Sequence, residues 1–278
     1  MNYRAIAPAR EAVRLDKPGH HRLESGRMSG WIALELTAVD AVHVGAGAPV
    51  LYEELARATV VTFDEDGGVA PVIPGASLKG AVRNLAELVL GGGSPDDRDV
   101  ASTAVGSLFG YVAGNDTFLG RIGFDDALPL AEEPAMGLTK LPHPYQPRKA
   151  GGRRLYGPPV GALAKEVPYE VTAPKERFGT RLHLVNVAMG ELGAVLTCLG
   201  MDGTFLLRVG GGKFAGLGRV RVEAVGGSIR RGYERPRPER LDAEAARKLV
   251  AEALAKRTLA KDAEQPLRLI RQALGGAR

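Results

Sequence analysis

Apolar and polar positions alternate most cleanly at Ile32, Leu34, Leu36 and Ala38, which interleave with Ala33, Glu35, Thr37 and Val39. A period of two is that of a strand with one face buried. Val42-His43-Val44-Gly45-Ala46-Gly47 then reads as a strand end running into a tight glycine turn. Ala58 to Phe63 and Val69 to Ile73 flank Asp64-Glu65-Asp66-Gly67-Gly68 and predict a hairpin. After Pro74-Gly75 the period changes. Leu78, Val82, Leu85 and Val89 share one face of a helix, which Gly91-Gly92-Gly93 ends near Leu90.

A short helical stretch from Val100 to Phe109 and a strand from Phe118 to Phe124 follow. Residues 131–178 are rich in Pro, Gly, Lys and Arg without sustained periodicity, and are expected to form a long basic insertion that is dispensable for folding. The ordered pattern resumes with a strand over Arg181 to Val187 and a helix over Glu191 to Leu199 that turns Leu192, Val195, Leu196 and Leu199 inward. Strands over Thr204 to Val209 and Arg219 to Val225 close the set. Residues 1–29 read as an extended arm, 30–229 as one domain, and 230–278 as a basic linker followed by amphipathic helices over Leu241–Leu259 and Pro266–Leu274 that cap it. The order is that of an α+β protein with a ferredoxin-like, RRM-like βαββαβ core, the hairpin being a decoration.

Composition narrows the function classes. A chain of 278 residues buries enough surface to fold without disulfides or metal. Its one cysteine, Cys198, excludes an intrachain disulfide and fits a reducing, cytoplasmic setting. No signal-like N-terminus and no membrane-spanning apolar run is expected. The net charge of +5 is modest, but the basic residues cluster in segments without periodicity, which favours a polyanionic partner. With aromatic residues at 5 %, stacking platforms are few, so phosphate contacts should dominate any RNA binding.

Two segments carry candidate chemistry. Ile73-Pro74-Gly75-Ala76-Ser77-Leu78-Lys79-Gly80 opens the first helix, and a helix N-terminus offers free N–H groups to a phosphate. Ser77 adds a hydroxyl, and Lys79 and Arg83 add charge four residues apart on one face. A plain helix with solvated Lys79 and Arg83 gives the same pattern. Gly210-Gly211-Gly212-Lys213-Phe214-Ala215-Gly216-Leu217-Gly218 lies between strands, which excludes a dinucleotide fingerprint; it suits an anion nest or a long hairpin turn.

Together these segments resemble the RAMP (repeat-associated mysterious protein) superfamily of CRISPR-associated proteins. Val42-His43-Val44-Gly45, Leu108-Phe109-Gly110 and Gly120-Arg121-Ile122-Gly123-Phe124-Asp125-Asp126-Ala127 add to the resemblance, in the family's order. Within it, the chain is similar to the backbone subunits of type III effector complexes. The resemblance implies a subunit that holds guide RNA, meets complementary target RNA and assembles with other effector subunits in antiviral defence. It assigns RNA contact to His43, Ser77, Lys79, Arg83, Gly211, Gly212, Lys213, Gly216, Gly218 and Arg219. It also makes the insertion a thumb, with Arg148, Lys149, Arg153 and Arg154 suited to phosphate.

Catalytic members of the family carry an aspartate where this chain has Ala56-Arg57-Ala58-Thr59-Val60. The expectation is therefore a non-catalytic subunit without cofactor. Two alternatives stay open: target cleavage by Glu53, Glu54 or Asp64, with Mg2+, and repeat processing with His43 as general acid. The five histidines show no metal spacing with Cys198.

Overall fold

The computed structural model describes residues 3–15, 17–63, 67–92, 99–142, 153–156, 166–233 and 237–275. Its centre is built from Met28–Ala38 (β1), Gly75–Leu90 (α1), Ile122–Phe124 (β2), Arg177–Val187 (β3), Met189–Cys198 (α2) and Arg219–Arg231 (β4). β4 pairs with β1, β1 with β3 and β3 with β2, all antiparallel. The order 4-1-3-2 with a helix after β1 and another after β3 is the ferredoxin-like βαββαβ arrangement.

Alternation decides which face is covered. Ile32, Leu34, Leu36 and Ala38 of β1, Phe178, Leu182 and Leu184 of β3, and Val220, Val222 and Ala224 of β4 all point into one buried layer. Leu78, Val82, Leu85 and Val89 of α1 and Leu192, Val195 and Leu196 of α2 meet them there. On the opposite face Arg221 and Glu223 are exposed, and the Arg181 guanidinium lies over Trp31, 4.8 Å from the ring centroid. The C-terminal helices Ala243–Ala255 and Glu264–Leu274 cap the helical layer against α2, β4 and α1.

Several expected boundaries move. The N-terminal segment is extended but packed: Tyr3–Ile6 pairs with Arg153–Tyr156, and Ile6 and Ala9 are buried. The strand expected over Phe118–Phe124 is two, Asp116–Leu119 in a hairpin with Gly110–Ala113 and β2 in the main sheet. Arg121 at the break is fully buried, donating to Glu191 at 2.8 and 3.0 Å and to Ser107 Oγ at 2.9 Å. That ion pair holds the chain in a corner between the two sheets. The strand expected from Thr204 shrinks to Leu207–Arg208, and Arg230 and Arg231 belong to β4 rather than to a linker.

The described residues within 131–178 are not an irregular loop. Met136–Pro142 pairs with Glu166–Thr172, which meets Leu55–Thr59 and through it Gly45–Leu51, forming a second sheet. Leu141, Tyr169 and Val171 pack on Leu217 in a small core of their own. Phe178, at the end of the expected insertion, is fully buried in β3. The reason lies in long-range pairing, which local periodicity does not report.

Candidate nucleic-acid interface

Gly75 opens α1 with its amide donating to Asp126 Oδ1 at 2.7 Å. A side chain at Gly75 would collide with the Phe124 carbonyl, 2.1 Å from its Cβ position. The helix start is therefore docked on the end of β2, with a carboxylate accepting from its first amide where a phosphate was expected. Lys79 is half-buried, and its pKa is lowered by burial and by Arg83, but it does not line the cleft described next.

The flank of the same helix is the functional candidate. A cleft of about 610 Å3 opens beside Ser77, Gly80 and Arg83, closed on one side by Arg153–Tyr156 and on the other by Leu207–Arg208 and the glycine-rich loop. Among the described residues it is lined by five basic side chains, Arg83, Arg153, Arg154, Arg208 and Lys213, and by one carboxylate, Glu87. Gly80 lies in the helix with nothing within 4 Å of its Cβ position. Glycine there costs about 0.8–1 kcal/mol relative to alanine. No packing requires it, and it leaves the helix backbone open to whatever enters the cleft.

The floor is built by the glycine-rich loop. Gly211 N–H donates to the His43 carbonyl at 2.7 Å and Gly218 N–H to the Ala41 carbonyl at 2.9 Å, which ties the loop to the segment after β1. Gly210 has φ 70° and a Cβ there would lie 2.1 Å from the His43 oxygen. Gly212, Gly216 and Gly218 also adopt left-handed backbone, and side chains at Gly212 and Gly218 would strike Leu217 and the Val209 carbonyl. These three glycines shape the turn; Gly210 and Gly211 face the cleft.

Arg208 is the feature the sequence did not disclose. It is 7 % exposed, and one guanidinium N–H donates to the Lys213 carbonyl at 2.9 Å. Its Nε has no partner among the described residues. Burial and the neighbouring Arg219 lower its pKa, opposed by Asp40, and burial and Arg208 lower that of Lys213. Asp40 itself is gripped at both oxygens by Arg219, at 2.6 and 2.8 Å. Arg219 is thus held in an ion pair and does not line the cleft.

His43 is 3 % exposed and does not line the cleft. Its Nδ1 lies 2.8 Å from the Glu170 carbonyl, which can only accept, so Nδ1 carries the proton; the ring stands edge-on to Tyr169. Burial lowers its pKa. His43 is thus enclosed beneath the glycine-rich loop rather than presented to the cleft. Glu54 is paired with Lys140 at 2.7 Å and Glu53 is exposed, while Asp64, Arg148 and Lys149 lie outside the described residues. Among the described residues no group of three or more His, Cys, Asp or Glu side chains is placed to hold a metal, and no helix is long and apolar enough to cross a membrane.

An α+β domain of ferredoxin-like topology with a basic cleft between a helix flank and a glycine loop belongs to the class of folds that suit a polyanion. The family model of the RAMP superfamily matches residues 35–221, more than half of the chain, and the protein belongs to that superfamily of CRISPR-associated proteins. The matched span runs from β1 into β4 and takes in α1, Arg153–Tyr156 and the glycine-rich loop around the cleft, while the strand Tyr3–Ile6 lies outside it. No curated protein matches the sequence.

Proposed function

We propose that the protein is a guide-RNA-binding backbone subunit of a type III CRISPR effector complex in antiviral defence, and that the cleft grips the guide through its phosphates. Arg208 carries this reading. A buried guanidinium with no carboxylate bonded to it is costly unless an anion completes it, and it sits beside Lys213 on the floor formed by Gly210 and Gly211. Ser77, Arg83, Arg153, Arg154, Gly211 and Lys213 surround the same space. The partners are guide RNA, complementary target RNA and neighbouring effector subunits. The subunit binds without a cofactor and does not cut RNA, since Ala58 and its neighbours place no carboxylate where catalytic relatives of the family carry one.

The test is Arg208→Met measured against labelled single-stranded RNA at several salt concentrations. Affinity should fall about tenfold, the worth of one hydrogen bond to a charged group. The log–log salt slope should flatten by about 0.7 for each phosphate the variant no longer neutralises. The melting temperature should be no lower than wild type, because the variant removes a buried unpaired charge. Unchanged affinity and slope would overturn the assignment of the cleft.

A further inference from the structure

Glu87 is out of place on charge alone. It is the single acidic side chain lining the cleft among the described residues, and a carboxylate beside a phosphate site repels what the site is to hold. It is 4 % exposed. Its Oε1 accepts from Arg83 Nε at 3.2 Å, one helical turn away, and its Oε2 accepts from Arg153 Nη2 on the adjoining strand Arg153–Tyr156. Arg83 Nη1 is further fixed on the Gly110 carbonyl at 2.9 Å. Two guanidiniums from elements far apart in the chain are thus pinned by one buried carboxylate. Arginine side chains lose rotamer freedom when they grip a ligand, and those already held lose less.

We infer that Glu87 is a positioning residue for RNA binding, holding Arg83 of the helix flank and Arg153 of the adjoining strand side by side so that they meet the RNA backbone pre-ordered. This rests on the reading of the cleft as the RNA site. The two physical roles of a carboxylate predict opposite signs. If Glu87 acts only by its charge, Glu87→Gln removes repulsion and RNA binds more tightly. If it positions the arginines, Glu87→Gln binds more weakly despite the more positive cleft.

The experiment titrates a labelled single-stranded RNA into the full chain, wild type and Glu87→Gln, with Arg153→Ala introduced into each. We expect Glu87→Gln to weaken binding about tenfold, roughly one charge-assisted hydrogen bond. Arg153→Ala should then cost much less in the Glu87→Gln background than in wild type, a coupling that general loss of stability does not produce. Glu87→Asp serves if Glu87→Gln fails to fold: it keeps the charge but is too short to span both arginines, and should bind more weakly as well. Tighter or unchanged binding, or an equal cost of Arg153→Ala in both backgrounds, overturns the inference. If Arg208→Met also leaves binding untouched, the failure belongs to the RNA reading of the cleft and not to Glu87 alone.

Discussion

Most of the family-like residues turn out to shape backbone. Gly110 and Gly120 sit where a side chain would meet the chain within 2.7 Å, Gly75 abuts Phe124, and Asp126 caps α1. Their spacing was legible in the sequence, but their work was not, because a glycine that touches a ligand and a glycine that touches a carbonyl look alike in one dimension. Arg208 was missed for a related reason: an arginine near the end of a short strand reads as solvated unless its surroundings are known. His43 gives a test at this scale. Burial holds its pKa below the usual 6.5, so between the two values the unfolded chain binds more protons than the folded one. Stability then rises with pH through that window; the contribution is complete above pH 6.5 and is lost as pH falls. Urea midpoints from pH 7 down to about 5 should drop more steeply for the wild type than for His43→Gln, the pH range set by the histidine value. Parallel profiles would show that His43 is not the group responsible.

At the scale of elements, periodicity located β1, α1 and α2 to within a few residues, because each buries one face against the main sheet. It failed where a partner elsewhere overrides the local pattern. The corner at Arg121 depends on Glu191, 70 residues on, and the strand Leu55–Thr59 is joined to Glu166–Thr172 where Tyr169 pairs with Arg57. The start of α1 separates a structural from a binding role. Asp126→Ala should cost about 1 kcal/mol of stability, as loss of an N-terminal cap does. RNA affinity should stay within about twofold of wild type, since Asp126 does not line the cleft. Denaturant unfolding and the RNA titration check the two halves separately; a large rise in affinity would mean that phosphate reaches the helix start after all.

For the whole molecule, the ferredoxin-like core followed from element order, while the second sheet did not, since its strands are joined by long-range pairing and three of them carry Pro or Gly. This reverses one expectation about deletion. Replacing 131–178 by a Gly-Ser linker removes Tyr169 and Val171 from one core and Phe178 from the other. Loss of Phe178 alone, as Phe178→Ala, should cost about 3–5 kcal/mol. The replacement should therefore abolish soluble expression, whereas a variant that expresses and melts like wild type would show that the main sheet stands without its neighbour.

The wall of the cleft formed by Arg153–Tyr156 has a consequence for synthesis. It is held on one edge by Tyr3–Ile6 and packed by the helix Glu264–Leu274, with Arg4 bonded to Gln272. A ribosome releases the chain in order, so Tyr3–Ile6 waits for a partner about 150 positions behind it and for a buttress more than a hundred positions further on. The βαββαβ centre can collapse as soon as β4 emerges, whereas the packing around Arg153–Tyr156 is complete only when residues 264–274 arrive. Residues 264–274 thus complete the surroundings of the arginines proposed to grip RNA only after every strand of the central sheet has been made.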